Sequence, residues 1–284
     1  MAREWSIASV VNELTAAFEA AGLDTPRLDA RILVGHAVQL EPSLLFARGE
    51  RVLTDAESTL VRDFAARRGS REPVSRITGH RGFWGLDFRI TPDTLDPRPD
   101  TETVVNAVLA RRLMFISPRV LDLGTGTGCI LLAILQDWPA ASGVGVDLND
   151  GAVAAAFANA ERLVFSRRAT FRQGSWCDGL DERFDVIVSN PPYISDSEMA
   201  ALAPEVGRFD PHLALAGGSD GLAAYRVLIP AAWDQLNQMG RLFLEIGSGQ
   251  APDVTELLRA AGFSNLGEHR DLAGIVRCLE AVKT

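Results

Sequence analysis

The sequence predicts an α/β protein whose larger part is a mostly parallel sheet with helices on both faces. Three observations carry this. From about residue 101, short apolar runs alternate with stretches of helical periodicity. One run, Leu121-Asp122-Leu123, passes into the glycine turn Gly124-Thr125-Gly126-Thr127-Gly128. Another, Phe184–Ser189, ends in Asn190-Pro191-Pro192-Tyr193. Short strands alternating with helices must cross over between parallel neighbours, and the ligand of such a sheet sits beyond the carboxyl ends of its strands.

The first part of the chain reads as helical. Ile7, Val10, Val11, Leu14 and Phe18 recur at helical spacing, and Gly22 can end that helix. Thr25-Pro26 has the form of an N-cap followed by proline at the first helical position, with Leu28, Ile32, Leu33 and Val38 as its apolar face. Thr54-Asp55-Ala56-Glu57 is a capping box that opens a helix through Leu60, Val61 and Phe64. These amphipathic helices should form a small bundle over residues 1–76. Residues 77–100 change character: Ile77, Phe83-Trp84 and Leu86–Ile90 surround Gly79, Gly82 and Gly85, which predicts a β-hairpin and then a proline-punctuated linker. Residues 101–284 then form the α/β domain. Its expected elements are a helix over Thr101–Arg112, strands at Arg119–Leu123 and Gly143–Val146, an alanine-rich helix over Gly151–Leu163, and strands at Ala169–Gln173, Phe184–Ser189, Arg241–Ile246 and Val276–Val282.

Bulk properties narrow the function. The 284 residues are 47% hydrophobic and 23% charged, ordinary for a soluble globular chain. The net charge of −9 opposes nonspecific binding to nucleic acid. Residues 1–90 balance 12 arginines against 12 acidic residues, so the remainder carries the whole excess. Arg62, Arg67, Arg68, Arg71, Arg76 and Arg81 form a local cluster that either docks an acidic or RNA-bearing partner or is a solvated helix face. The cysteines Cys129, Cys177 and Cys278 lack metal or disulfide spacing and read as reduced core residues, and no metal site is expected. Met1–Trp5 has no leader-like apolar stretch and no run reaches membrane-helix length, which points to the cytoplasm and no membrane partner.

The glycine turn, spaced G-x-G-x-G, differs from the G-x-G-x-x-G of dinucleotide enzymes. It lets the backbone approach a ligand closely, as S-adenosyl-L-methionine requires, with no pyrophosphate to cradle. Asp147 ends the next strand, where a carboxylate can accept from both ribose hydroxyls or, alternatively, cap a helix. Trp176 can cover an adenine ring or fill the core.

The loop Asn190–Tyr193 carries the acceptor chemistry. Its two prolines remove N–H donors and stiffen the backbone, leaving an array of acceptors. The Asn190 side-chain oxygen and the Pro191 carbonyl can each take one N–H of a planar NH2 group, with Pro192 shaping the loop and Tyr193 stacking on the flat acceptor. These motifs point to methyl transfer to an amide or amino nitrogen, with no obvious base inside the loop.

With those residues in view, the chain resembles the bacterial peptide chain release factor N(5)-glutamine methyltransferases over nearly its whole length. The resemblance rests on Phe83-Trp84 with Leu86, on Thr94–Glu102, Asp122–Gly128 and Asn190–Ile194, on Glu205-Val206, Phe209–Pro211 and Leu213–Leu222, on Leu244–Gly247 with Gln250, and on Asp271–Gly274 with Arg277. Asp96 stands where that family usually has an aliphatic residue, and Asp100 where it usually has glutamate. The resemblance implies a seven-stranded Rossmann-like S-adenosylmethionine-dependent methyltransferase domain with a small N-terminal helical domain that docks a protein substrate. It implies Gly124, Thr125, Gly126, Thr127, Gly128, Asp147, Trp176 and Asn190 as cofactor contacts. It implies Asn190, Pro191, Pro192 and Tyr193 as the cradle for the glutamine of the Gly-Gly-Gln loop of class 1 release factors, with Arg98 and Thr101 ordering the loop over the cofactor. The alternative is a DNA or RNA amino-group methyltransferase acting on a flipped base, which the acidic larger domain opposes. An inactive binding module and an NAD enzyme are weaker: the first leaves the intact motifs unexplained, and the second has the wrong glycine spacing.

Overall fold

The structure, a computed structural model, describes residues 5–41 and 43–284; Met1–Glu4, read above for a leader, lie outside the described residues. The chain divides into two compact units, one of residues 1–79 with 204–209, the other of residues 80–203 with 210–284.

The smaller unit is helical. Helix α1 (Ile7–Ala20) starts at Ser6, whose side chain accepts from the Ser9 N–H, and ends before Gly22 at φ 67°. Helix α2 spans Pro26–Ala37 and α3 Asp55–Gly69; α3 opens on the expected capping box, with both Thr54–Glu57 bonds made. A short helix α4 (Val74–Thr78) stops at left-handed Gly79. Ile7, Val10, Leu14, Phe18, Leu33, Val34, Val61, Phe64 and Ile77 form the core. Two sequence expectations change. Thr25 does not cap α2; its hydroxyl donates to Asp29 instead (2.7 Å). Leu28 and Leu60 are exposed, because the buried faces run through Ala30, Leu33, Val34 and Ala37 on α2 and through Val61 and Phe64 on α3.

The larger unit begins with a hairpin of β1 (His80–Phe83) and β2 (Leu86–Arg89). Its two-residue turn, Trp84-Gly85, has positive φ at both positions, the form that matches the twist of a hairpin. Trp84 tolerates this because it is tied at both ends: its backbone N–H donates to Glu102 (2.9 Å) and its indole N–H to Asp137 (2.8 Å). Then follow α5 (Glu102–Leu109), β3 (Arg119–Leu123), α6 (Cys129–Asp137), β4 (Ser142–Asp147), α7 (Asp150–Arg162), β5 (Ala169–Gln173) and β6 (Phe184–Ser189). The short helix α8 (Asp196–Met199) comes next in this unit, and α9 (Pro204–Gly207) falls in the helical unit. The chain closes with α10 (Ala223–Gln235), β7 (Leu236–Glu245), α11 (Ala251–Ala260), β8 (Ser264–Arg270) and β9 (Val276–Val282).

Seven strands form one sheet in the order β5-β4-β3-β6-β7-β9-β8, parallel except for β9, which runs antiparallel to both neighbours. Alternate strand residues face opposite layers, as the pleat requires. Val120, Val186, Val188 and Phe243 pack under α5 and α6, while Leu121, Leu123, Ile187, Leu242 and Leu244 pack under α10 and α11. The chain order reverses between β3 and β6. Their parallel pairing sets Leu123 beside Ser189, whose hydroxyl donates to the Leu123 carbonyl (2.6 Å). The glycine turn and the Asn-Pro-Pro-Tyr loop therefore leave the sheet side by side, at the switch point where such sheets bind ligands.

Candidate active site

A cleft at the carboxyl end of the sheet is lined by Gly124, Thr125, Gly126, Thr127, Asp147, Trp176, Asn190 and Pro192. These are most of the residues the sequence nominates. Gly124 (φ 72°) and Gly126 (φ 54°) take the left-handed backbone that keeps the turn free of side chains, and a Cβ on Gly126 would project into open space. Gly128 does not line the cleft. It starts α6 at φ 79°, and a Cβ there would press on Ala156 and Phe171 at 3.3 Å, so its role is to let α7 and β5 close on the turn.

The Asp147 carboxylate accepts from the Gly126 N–H (2.8 Å) and the Asn149 N–H (3.0 Å). Burial raises its pKa and these backbone donors oppose the rise. It thus holds the glycine turn to the end of β4, and its oxygens keep further lone pairs for a ligand. Beneath it, buried Asp122 accepts from the Thr125 hydroxyl (2.7 Å), and burial pushes its pKa up to about 7. Trp176 lines the cleft and also packs, partly buried, against the core beneath α10.

Asn190 donates from Nδ2 to the Thr101 hydroxyl oxygen (3.2 Å). With the NH2 end tied there, Oδ1 is left as the acceptor end. Pro191 is buried and Pro192 faces the cleft. Tyr193 differs from expectation: it does not line the cleft, and its hydroxyl donates to Glu245 (3.3 Å). Burial raises its pKa, so the phenol stays neutral. The Gln250 side chain braces the loop from behind, donating to the Tyr193 carbonyl (3.0 Å) and accepting from the Gly247 N–H (2.9 Å).

The linker contributes more than the sequence reading assigned to it. Asp93, Leu95, Pro97, Arg98 and Thr101 all line the cleft. Arg98 forms an ion pair with buried Asp210, and Thr101 makes no helix-capping bond at the start of α5, so its hydroxyl serves Asn190 instead. Both departures from the family pattern find partners: Asp96 pairs with Arg81 (3.4 Å) and Asp100 with Arg277 (3.1 Å). Pro211, Leu213 and Ala214 complete the rim. The linker wall and this rim have no periodicity of their own; in the sequence they stand out only through the resemblance carried by Thr94–Glu102, Phe209–Pro211 and Leu213–Leu222. The rim approaches the acceptor loop through the parallel bridge of Ile194 to Ala216.

Glu245, at the end of β7, is buried beneath the site, and burial pushes its pKa to about 7. The arginine cluster of the helical unit is mostly spent internally. Arg62 lies over Trp5, Arg67 binds Glu72 (2.6 Å), and Arg68 is buried on Asp29 (2.7 Å). Arg71 pairs with Glu205 (3.1 Å). Cys129, Cys177 and Cys278 are all buried free thiols, and burial raises each pKa, the first two to about 12. Among the described residues no group of three His, Cys, Asp or Glu side chains is placed to hold a metal, and no helix is long and apolar enough to cross a membrane.

Known proteins share this architecture. Residues 9–79 match the PrmC N-terminal domain family, and residues 100–206 match the methyltransferase small domain family. A release factor glutamine methyltransferase of Rhodospirillum rubrum is 51% identical over 92% of this chain and 80% of its own length. That of Bradyrhizobium diazoefficiens is 46% identical over 98% of this chain and 95% of its own. A methyltransferase structure from Pyrococcus furiosus superposes with a TM-score of 0.52 at 18% identity, covering 71% of this chain and 91% of that one, and so shares the fold. At such identity over almost the full length, the chain belongs to the release factor glutamine methyltransferase family.

Proposed function

We propose that this chain transfers a methyl group from S-adenosyl-L-methionine to the side-chain amide nitrogen of the glutamine in the Gly-Gly-Gln loop of class 1 peptide chain release factors. The observation that carries this is the shared cleft: the glycine turn, Asp147 and the Asn190 amide all open onto one space. The residues present suit the cofactor. Bare backbone at Gly124 and Gly126 allows close approach, Asp147 suits ribose hydroxyls, and Leu148, Ile130 and Trp176 suit a flat purine. When bound, S-adenosyl-L-methionine supplies an electrophilic methyl group on a sulfonium.

The chain's own task is to orient a poor nucleophile. An amide nitrogen shares its lone pair with the carbonyl. Asn190 Oδ1 and the Pro191 carbonyl accept its two N–H groups, which raises electron density on nitrogen and aims it. Orientation of this kind is worth effective molarities of about 10⁵–10⁸ M. Tyr193 acts from behind, with its hydroxyl holding the loop to Glu245. Helical residues 1–76 dock the protein substrate, residues 77–100 link them to the site, and residues 101–284 catalyse. The net charge of −9 supports a protein rather than a nucleic-acid substrate, and a translation factor as partner supports a cytoplasmic location.

Labelled cofactor should mark a wild-type release factor and leave a factor with the loop Gln→Ala unmarked; equal labelling of both overturns the proposal. Asn190→Ala should lower kcat by about 10²–10³, the cost of losing one preorganised polar contact to the reacting group. Cofactor affinity measured by calorimetry should change little. An unaltered kcat refutes the cradle.

A further inference from the structure

We infer that Gln250 is a positioning residue for methyl transfer: its carboxamide supplies, from outside, the hydrogen-bond donors that the proline loop lacks, and so fixes the far end of the cradle. The inference rests on the proposed methylation of a glutamine amide. It gives a part in the reaction to a side chain that does not line the cleft.

The loop is hard to hold. Pro191 and Pro192 have no N–H, so the stretch cannot be tied down by its own backbone donors. Their rings fix φ and leave ψ free, and ψ aims the Pro191 carbonyl. The direction of that carbonyl is therefore fixed only when the chain is held on both sides of the prolines. On the near side Asn190 follows β6 and donates to the Thr101 hydroxyl oxygen (3.2 Å). On the far side stands the peptide between Tyr193 and Ile194. Its N–H, on Ile194, donates to the Leu215 carbonyl (3.0 Å). Its carbonyl, on Tyr193, accepts from Gln250 Nε2 (3.0 Å). One peptide plane is thus held by both of its polar groups.

The sense of the Gln250 amide is set by its partners. Gln250 Oε1 accepts from the Gly247 N–H (2.9 Å), and Nε2 donates to the Tyr193 carbonyl and, at 3.4 Å, to the Gly221 carbonyl. All three partners are backbone groups, and a backbone N–H only donates while a carbonyl only accepts. The reversed amide would set NH2 against an N–H and oxygen against two carbonyls. The Gln250 N–H in turn donates to the Gly247 carbonyl (3.2 Å), which locks the side chain to the turn that carries it into α11.

Bare backbone makes room for this amide. A Cβ on Gly221 would lie 2.5 Å from the Tyr193 carbonyl oxygen and 2.6 Å from Gln250 Nε2, and one on Gly247 2.9 Å from Oε1. A Cβ on Gly217 would lie 2.8 Å from the Tyr193 carbonyl carbon. The acceptor loop, the Gly217–Gly221 segment and the turn after β7 therefore meet at a single carboxamide.

Two variants and three readouts test this on the full chain with a release factor as substrate. Gln250→Met keeps the reach of the side chain and removes its donors. It should lower kcat by about 10², the cost of a small misplacement of a reacting group. The KM for release factor should stay within about twofold, since the lost contact serves the transition state. S-adenosyl-L-methionine affinity measured by calorimetry should be retained, because Gln250 stands outside the cleft lining. Gln250→Glu keeps the shape but, when ionised, sets an acceptor oxygen against two carbonyls. It should lower kcat at least as far as Gln250→Met does. The third readout needs no substrate: exchange of the Ile194 N–H by NMR should be about fivefold faster in Gln250→Met than in wild type, the factor one ordinary hydrogen bond represents. A kcat in Gln250→Met near that of wild type, equal Ile194 exchange in the two proteins, or cofactor affinity lost in step with kcat overturns the inference. If either variant fails to fold, the other carries both the kinetic and the exchange comparison. If wild type methylates no release factor, the proposed function fails, and the exchange comparison still judges the hold on the loop.

Discussion

Asn190 of the acceptor loop donates to Thr101 just before α5, while Tyr193 of the same loop donates to buried Glu245 at the end of β7. Asn190 is legible in the sequence because two prolines after a buried strand are unusual chemistry. Glu245 falls in the resembling segment Leu244–Gly247, but its contact with Tyr193 is not legible, since a single acidic residue in an apolar strand does not name its partner. Arg68 shows the reverse: it reads as one of a cluster of surface charges, yet it is 7% exposed and paired with buried Asp29. Removing one partner of a buried pair strands the other charge. Arg68→Ala should therefore destabilise the helical unit by about 3–5 kcal/mol in urea unfolding. A residue serving only to dock a partner would instead change KM and leave stability intact.

At the scale of elements, β4 carries two glycines because its neighbours come too close for side chains. A Cβ on Gly143 would lie 2.5 Å from Leu131 Cδ1 and 2.7 Å from the Val120 carbonyl, and one on Gly145 2.5 Å from Phe171. Since the Val120 carbonyl is backbone and cannot swing aside, Gly143→Ala should cost about 1–3 kcal/mol in urea unfolding. At the far side of the sheet Glu280 gathers Arg111, Arg241 and His269. Burial raises its pKa, but hydrogen bonds from His269 and Arg111 and the charges of Arg111 and Arg241 overcome this, and it titrates at about 2. Its folded value lies below the unfolded one, so its contribution is present above pH 4.5 and is lost as pH falls toward 2. Glu280→Gln should remove about 1–3 kcal/mol at pH 7 and flatten the acid side of the stability profile.

Across the whole molecule, two core layers sandwich the sheet of the larger unit, while a separate core serves the helical unit. Under that sheet lie two carboxyls, Asp122 and Glu245, both raised to about 7 by burial. The sign is opposite to that of Glu280: the folded state holds protons that the unfolded state has lost. Their stabilising share is complete below about pH 4 and disappears as pH rises through 7. The urea midpoint should therefore decline between pH 5 and 8, and Asp122→Asn should lessen that decline; a flat wild-type profile would contradict the assignment.

Local chemistry in the sequence was enough to determine the α/β class, the strands flanking the glycine turn, the capping box at Thr54 and the two motifs of the cleft. Each is set by neighbours in the chain: apolar alternation, a hydroxyl three residues before an acid, or proline removing a donor. Strand β8 escaped because Ser264–Arg270 is polar at a sheet edge and needs no apolar alternation, and α10 escaped because Pro230 interrupts its pattern. Only the tertiary structure decided that Gly128 serves packing, that Tyr193 turns to Glu245, and that Thr101 orients Asn190. Those outcomes depend on which strands pair and which buried acceptor a hydroxyl finds, and the separation of 89 positions between Thr101 and Asn190 puts that choice beyond any local pattern.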